Sequence, residues 1–237
     1  MSAPSTHSLF RATRKAPAPV VPMALALPDD LGAAPKRAKP EVREADDFYP
    51  TPAEPVRALL TAEANALDTA HFEFGSDVWE AAVGDGAIAR ELIRAGYSVI
   101  GSDLRDRGWP DTQVGDFFAL QDALSPIMIT NPPYDCVNWR DGKGRWITHA
   151  RAIGVRYMAL LLNWSWLGAA GLRPLLEADP PARVWVCQWK IDFTGEGAPP
   201  QLNAWFVWDD TTTRGNWGGT RLGWLSRDSD PVQGVML

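Results

Sequence analysis

Residues 77–103, DVWEAAVGDGAIARELIRAGYSVIGSD, decide the fold. The runs DVWEA (77–81) and SVIGS (98–102) are short and apolar and are bounded by turn residues, which is typical of strands. Between them, GAIARELIRAG places apolar residues at helical spacing and ends on Gly96, as expected of a helix followed by a C′ glycine. A strand, a glycine turn, a helix and a second strand form the repeating unit of a parallel sheet.

The rest of the chain continues this alternation. Further candidate strands are residues 127–130, 157–162, 183–189 and 204–208, and a Gly/Pro loop without a helix joins the last two. Before the first strand, Thr51 and Pro52 are predicted to be the N-cap and first residue of a helix that runs to about Ala66. The prediction is an α/β fold with a mostly parallel seven-stranded sheet, an antiparallel edge strand and helices on both faces.

Composition divides the 237 residues into three parts. Residues 1–45 are rich in Ala and Pro with scattered basic residues, which predicts a disordered arm. This arm could be inert, could be a cationic contact with nucleic acid, or could be a targeting segment. Residues 46–210 are predicted to be a catalytic domain. Residues 211–237 are predicted to be a C-terminal extension, which is either a second nucleic-acid arm or a cover over the sheet edge.

Charge and cysteine content limit the classes of protein. The net charge of −6 argues against a protein that coats nucleic acid by bulk attraction, but it allows a local basic groove. The two cysteines and three histidines are scattered, so we expect no disulfide framework and no metal site, in a reducing compartment such as the cytoplasm. No apolar run reaches the roughly 18 residues of a membrane span, and no membrane partner is expected.

The residues that follow the strands are the candidates for function, because ligands bind at the carboxyl ends of parallel strands. Residues 80–86, EAAVGDG, join an acid to a glycine turn that lets the backbone approach a ligand, or that serves the turn alone. Asp103 is placed to bind a ribose diol, or to form a turn. In VGDFF, Asp116 could bind an exocyclic amine and Phe117 a purine face; alternatively they are a helix cap and a core aromatic.

The stretch ITNPPY (129–134) ends a strand on an amide, two prolines and an aromatic ring. Prolines cannot enter a strand ladder as donors, so the Pro132 carbonyl remains exposed. This carbonyl and the Asn131 oxygen could accept both hydrogens of one planar amine, which leaves its lone pair free for attack, while Tyr134 stacks on the attached ring. A plain turn is the alternative, but the coincidence with the other strand-end features favours an amine site.

The order FYPTP (48–52), ExxxGxG (80–86), Asp103, GDFF (115–118) and NPPY (131–134) resembles class I S-adenosylmethionine-dependent methyltransferases, in particular the DNA adenine-N6 methyltransferases frequent in phages and prophages. The resemblance covers residues 48 to about 209 and implies the Rossmann-like class I methyltransferase fold. It implies S-adenosylmethionine as cofactor and DNA, double- or single-stranded, as substrate, with a flipped adenine and short or relaxed sequence specificity. The absence of a long insertion for target recognition favours that relaxed specificity.

The resemblance also assigns site residues. To the cofactor it assigns Tyr49, Thr51, Pro52, Glu80, Ala82, Gly84, Gly86, Asp103, Asp116 and Phe117. To the target amine and its ring it assigns Asn131, Pro132, Pro133 and Tyr134. The chain departs from the common pattern in having Glu80 where Asp is more frequent, and Ala81 and Ala82 where many relatives have Pro and Phe.

Contacts with the nucleic acid are predicted just after NPPY. There, Trp139, Arg140, Lys143 and Arg145 combine aromatic and basic side chains that could clamp a strand, or form an ordinary solvated loop. Phe193 is the candidate for a second wall around the flipped base, with core packing as the alternative.

Other functions remain open at this level. RNA adenine and protein glutamine offer the same planar nitrogen as acceptor. A non-catalytic nucleic-acid-binding protein with a decayed methyltransferase fold belongs to a different class. A nicotinamide-dependent oxidoreductase is disfavoured, because GxGxxG is incomplete.

Overall fold

The computed structural model describes residues 49–75, 77–138, 144–197, 201–212 and 219–227. The helices are α1 (Ala53–Phe74), α2 (Ala87–Arg94), α3 (Tyr134–Val137), α4 (Arg145–Ala152) and α5 (Arg173–Ala178). The strands are β1 (Val78–Glu80), β2 (Val99–Asp103), β3 (Gln113–Val114), β4 (Ile127–Thr130), β5 (Tyr157–Asn163), β6 (Arg183–Cys187), β7 (Asn203–Asp209) and β8 (Arg221–Leu225).

The strands form one sheet in the order β3-β2-β1-β4-β5-β7-β6-β8. Strand β7 is antiparallel to both of its neighbours, and every other pair is parallel. The strand order reverses beside β1, where Val78 pairs with Val99 of β2 on one side and with Ile127 of β4 on the other. Such a switch point opens a crevice at the carboxyl ends of the strands. The predicted Rossmann-like α/β fold is confirmed.

The sheet differs from the prediction in two details. It has eight strands rather than seven, and the antiparallel strand lies inside the sheet rather than at its edge. Strand β8 extends the sheet beyond β6, with which it pairs in parallel from Arg183↔Arg221 to Cys187↔Leu225. The antiparallel strand β7 is interior because it pairs with β5 on one side and β6 on the other. Residues 221–225 belong to the predicted C-terminal extension, and in the structure they are the edge strand of the sheet itself.

Helices pack on both faces of the sheet, and the alternation along each strand explains why. Ile127 and Ile129 of β4 are buried in one cluster together with Leu59 of α1 and Leu92 of α2. Met128, between them, belongs to the opposite cluster, which includes Trp146, Ile147 and Ala150 of α4. Successive side chains of a strand point to opposite faces, so a strand that is apolar throughout needs cover on both sides.

Helix α1 is longer than predicted and begins differently. It continues to Phe74 because Leu67 and Ala70 extend its buried stripe, and it ends at Gly75, whose φ of 58° is left-handed. The predicted N-cap role of Thr51 is wrong. Pro52 occupies the cap position and no side chain caps the helix; the Thr51 hydroxyl instead accepts a hydrogen bond from Asn131.

A buried ionic network ties α1 to the sheet. The Arg183 guanidinium donates to Glu63 from Nε at 2.7 Å and to Asp209 from Nη2 at 2.6 Å, and the Tyr157 hydroxyl donates to Glu63 at 2.7 Å. Burial and the adjacent Glu63 carboxylate raise the pKa of Tyr157 well above its ordinary value. Tyr157 and Arg183 begin β5 and β6, so the network lies at the amino ends of these strands. Within the ranges described, no helix is both long and apolar enough to cross a membrane.

Candidate active site

A cavity of about 760 Å³ opens where the strand order reverses. Its walls come from the ends of β1, β2 and β4, from the turn after β3, from the segment before α1 and from the loop after β6. All four strand-end features identified in the sequence therefore meet in one place. The size is typical of a small-molecule site.

Most of the residues predicted for the site line this cavity. They are Tyr49, Thr51, Glu80, Ala82, Asp103, Asp116, Phe117, Asn131, Pro132, Pro133, Tyr134 and Phe193. Four others, Pro52, Gly84, Gly86 and Arg145, are described but lie outside the lining. The remaining three predictions, Trp139, Arg140 and Lys143, fall outside the described residues.

Asn131 is held in one orientation. It follows β4 directly, and its Nδ2 donates to Thr51 Oγ1 at 3.1 Å. Its Oδ1 is buried and has no hydrogen-bond partner among the residues that the structure describes. Buried polar atoms are nearly always paired in native proteins. The Asn131 oxygen can therefore accept a hydrogen bond from a ligand in the cavity.

Tyr134 is fixed by a residue that the sequence did not reveal. Its hydroxyl accepts a hydrogen bond of 3.2 Å from Asn203 Nδ2, and the same nitrogen lies 3.4 Å from the Leu162 carbonyl. Asn203 is the first residue of β7. The rule that ligands bind at the carboxyl ends of strands does not point to Asn203, because an antiparallel strand brings its beginning to the edge where its neighbours end.

Asp103 is anchored by the glycine turn. Its Oδ2 accepts from the Gly84 N–H at 2.9 Å, and its Oδ1 accepts from the Arg105 N–H at 3.1 Å. The Arg107 guanidinium lies 3.9 Å from Oδ1. Gly84 thus positions the carboxylate, which itself lines the cavity.

A close contact explains why residue 86 is a glycine. Its φ is 84°, and a Cβ at this position would lie 1.8 Å from Cε3 of Trp109. The indole also covers Gly101 of β2, where a Cβ would lie 2.8 Å from Trp109 Cδ1. The glycine turn is therefore packed beneath Trp109, a contact that sequence spacing alone did not indicate.

The cavity is strongly acidic. Its lining contains the carboxyl groups of Glu80, Asp85, Asp103, Asp116, Asp135, Asp192 and Glu196 against the guanidinium groups of Arg105 and Arg107. Burial raises the pKa of Glu80 well above its ordinary value, and the nearby Asp85 and Asp103 raise it further. Its Oε2 is buried and has no partner among the described residues. A cation is the ligand that this lining favours.

An aromatic stack forms another wall. The ring of Phe117 is stacked on Trp146, with 3.9 Å between the centroids and 13° between the planes. Asp116 accepts a hydrogen bond of 2.9 Å from the Phe118 N–H and caps the short 3-10 helix of residues 117–119. The structure thus shows the helix cap and the packed aromatic, and both residues also line the cavity; their contacts with a ligand stay a prediction.

A tight loop carries Phe193 to the site. The adjacent Asp192 accepts from the Gly195 N–H at 2.9 Å and from the Gly197 N–H at 2.7 Å. These bonds, led by the one from Gly197, lower the pKa of Asp192 below its ordinary value. The Asp followed by Thr-Gly at 194–195 is the signal that could have predicted this turn.

Arg145 lies outside the lining of the cavity but next to it, and its Nη2 donates to Sγ of the lining residue Cys136 at 3.5 Å. It begins α4, is exposed, and places its guanidinium 4.2 Å from the centroid of the Phe118 ring. Among the described residues, no three His, Cys, Asp or Glu side chains are grouped so that they could hold a metal ion.

Comparison with known proteins gives a likeness to solved structures and no other match. No protein-family model matches the chain, and no curated protein matches it. Among solved structures, the chain is similar to a TehB-like SAM-dependent methyltransferase from Corynebacterium glutamicum, at 19% identity and a TM-score of 0.37. The match covers 62% of this chain and 87% of that one.

Proposed function

We propose that this protein is a DNA methyltransferase that transfers the methyl group of S-adenosylmethionine to the N6 amine of adenine. The observation that carries the proposal is Asn131, whose Nδ2 is engaged by Thr51 at 3.1 Å while its Oδ1 is buried without a described partner. An amide presented in this way accepts hydrogen bonds and cannot donate them from the same side. It therefore suits an amine, which brings the complementary donors.

The cavity fits the proposed cofactor in charge and size. S-adenosylmethionine carries a sulfonium and an ammonium group against one carboxylate. Besides Glu80, whose pKa is raised by burial, the lining offers six carboxyl groups against two guanidinium groups. Asp103, at the end of β2, is the residue for the ribose hydroxyls, and Phe117 provides a buried ring face. When bound, the cofactor supplies an activated methyl group on a neutral leaving group.

The residues of the chain then hold and activate the acceptor. Asn131 Oδ1 and the Pro132 carbonyl accept the two amine hydrogens, which orients the nitrogen lone pair along the line of transfer. The bound cofactor would supply the methyl group to this nitrogen and leave as S-adenosylhomocysteine, and the surplus proton of the amine would leave to water. The protein contributes alignment and electrostatics and forms no covalent intermediate.

Two aromatic rings favour a nucleobase as the carrier of the amine. Tyr134 and Phe193 both line the cavity that contains Asn131, and a flipped base needs apolar walls for its faces. The side-chain amide of glutamine has no ring to be enclosed. Protein glutamine is therefore the second candidate, and RNA adenine shares the evidence for DNA.

One labelling experiment tests the proposal. The protein is incubated with methyl-labelled S-adenosylmethionine and, separately, with unmethylated duplex DNA, single-stranded DNA, RNA and total cell protein. We expect N6-methyladenine in DNA, identified by mass spectrometry of the nucleosides. Label that enters only RNA or only protein contradicts the DNA assignment, and cofactor binding without transfer to any polymer supports a non-catalytic binding protein.

A variant separates chemistry from cofactor binding. Asn131→Ala should abolish transfer and leave the cofactor dissociation constant within about twofold, because the amide is assigned to the amine. Asp103→Ala should do the reverse and weaken cofactor binding first. Equal loss of cofactor affinity in both variants would mean that Asn131 binds the cofactor rather than the amine.

A further inference from the structure

A second cavity, of about 860 Å³, adjoins the candidate active site. Three residues, Tyr134, Asn138 and Gln201, line both cavities. The rest of its wall comes from the end of β5, from α3 and from the 3-10 turn of residues 164–168. The two spaces are therefore neighbours along one rim, and Tyr134 belongs to the wall of each.

The chemistry of the second cavity differs from that of the first. None of the described residues that line it carries a charge, in contrast to the acidic lining beside Asn131. Trp164 is half-buried, whereas Trp166 is buried and donates from Nε1 to the Val137 carbonyl at 2.7 Å. Trp166 is thus part of the framework, and Trp164 is the ring that remains available to a ligand.

Polar groups at the mouth are held in place. Asn163 Oδ1 accepts from the Ser165 N–H at 2.8 Å, and Asn163 Nδ2 donates to Gln201 Oε1. This second bond joins the end of β5 to Gln201, two residues before β7 begins. It occupies the Gln201 oxygen and leaves the Gln201 amide nitrogen as a donor for a ring acceptor.

We propose that this cavity holds the nucleobase next to the target adenine in the same strand, stacked on Trp164. The inference rests on the proposed function, since it requires a nucleic acid whose target base lies against Tyr134. An uncharged, tryptophan-bearing space suits a neutral heterocycle and gives no attraction to a phosphate. A base flipped into the first cavity leaves its neighbour unstacked at the rim that the two cavities share, and Trp164 replaces the lost stacking partner.

The test compares single-stranded oligonucleotides with one adenine each. One has intact neighbours, one lacks the base on the 5′ side and one lacks the base on the 3′ side. For the wild type we expect kcat/KM to fall about tenfold when one of these two neighbours is missing, and little when the other is missing. In Trp164→Ala, kcat/KM on the intact oligonucleotide should fall to the value of the sensitive abasic one, and removal of that base should have no further effect.

Controls keep the outcomes distinct. Trp164→Phe retains a ring and should keep most of the preference. Trp224→Ala removes an exposed tryptophan of β8 and should leave kcat/KM unchanged on all three oligonucleotides. Transfer that is insensitive to both neighbours, or a Trp164→Ala variant that loses activity equally on all three substrates, overturns the subsite and leaves the proposed function standing. No transfer by the wild type to any of these oligonucleotides, either single-stranded or annealed to a complement, overturns the proposed function, and the subsite with it.

Discussion

Thr51 Oγ1 accepts a hydrogen bond of 3.1 Å from Asn131 Nδ2. The bond joins the segment before α1 to the end of β4, and both residues line the candidate active site. It decides which end of the Asn131 amide is left for a ligand. Without it, the amide could rotate and present a donor where the proposed amine also brings donors.

Thr51→Val therefore tests orientation without a change of shape. We expect kcat to fall about five- to tenfold, the effect of one lost hydrogen bond of about 1 kcal/mol, while the cofactor dissociation constant stays nearly constant. Thr51→Ser keeps the hydroxyl and should restore kcat. If Thr51→Val weakens cofactor binding and leaves kcat intact, Thr51 serves the cofactor, as the sequence resemblance implied.

Glu80→Gln should change how stability depends on pH. The pKa of Glu80 in the folded protein is raised well above 4.5 by burial, so the unfolded chain releases this proton first as pH rises. Stability contributed by protonated Glu80 is thus present below the unfolded value and declines by about 1.4 kcal/mol per pH unit until the folded pKa is passed. Urea midpoints measured upward from pH 4.5 should fall less steeply in the variant than in the wild type. Parallel profiles would mean that Glu80 is not held protonated.

Gly86→Ala should be more destabilising than an ordinary substitution at positive φ. The new Cβ meets the Trp109 ring at 1.8 Å and the backbone has φ 84°, so we expect a loss of roughly 2 to 5 kcal/mol in the free energy of unfolding. Gly96→Ala is the matched control, because its φ is 96° and no atom lies within 4 Å of the added Cβ. Gly96→Ala should lower the free energy of unfolding only by the cost of a side chain at positive φ, roughly 1 to 2 kcal/mol. Equal costs in denaturant unfolding would exclude the contact with Trp109 as the cause.

Arg183→Ala should lower the free energy of unfolding without a direct effect on the candidate active site. Removal of the guanidinium leaves Glu63 and Asp209 buried without their cation, at a cost of about 3 to 5 kcal/mol. Arg173→Ala, which breaks an exposed pair with Glu177, should change stability by less than about 0.5 kcal/mol. Cofactor affinity per folded molecule should be the same in both variants, and a specific loss in Arg183→Ala would contradict a purely structural role.

The strand-end residues could be found from sequence because parallel strands all finish at one edge of the sheet. Apolar runs located β1, β2 and β4, and the residues that follow them, from Glu80 to Tyr134, do meet in one cavity. Local sequence patterns did not indicate the order of the strands in the sheet. The two-residue strand β3 is exposed and carries no apolar signal, and β8 lies in a segment that resembles an extension.

The features that were missed depend on contacts between distant residues. Trp109 covers the glycine turn from a loop beyond the next strand, and Asn203 reaches Tyr134 only because β7 runs antiparallel to its neighbours. The prediction for Thr51 was wrong for a different reason. A threonine before a proline has the local pattern of an N-cap, and only the folded chain shows that its hydroxyl is used by Asn131 instead.

The network of Glu63, Arg183 and Tyr157 lies at the amino ends of β5 and β6, while both cavities open at the carboxyl ends of the strands. This buried network and the ligand contacts therefore lie at opposite edges of the same sheet. Loops at the ligand margin can diverge in length and sequence under selection for a new substrate while the opposite margin keeps the chain folded. This arrangement makes the protein evolvable.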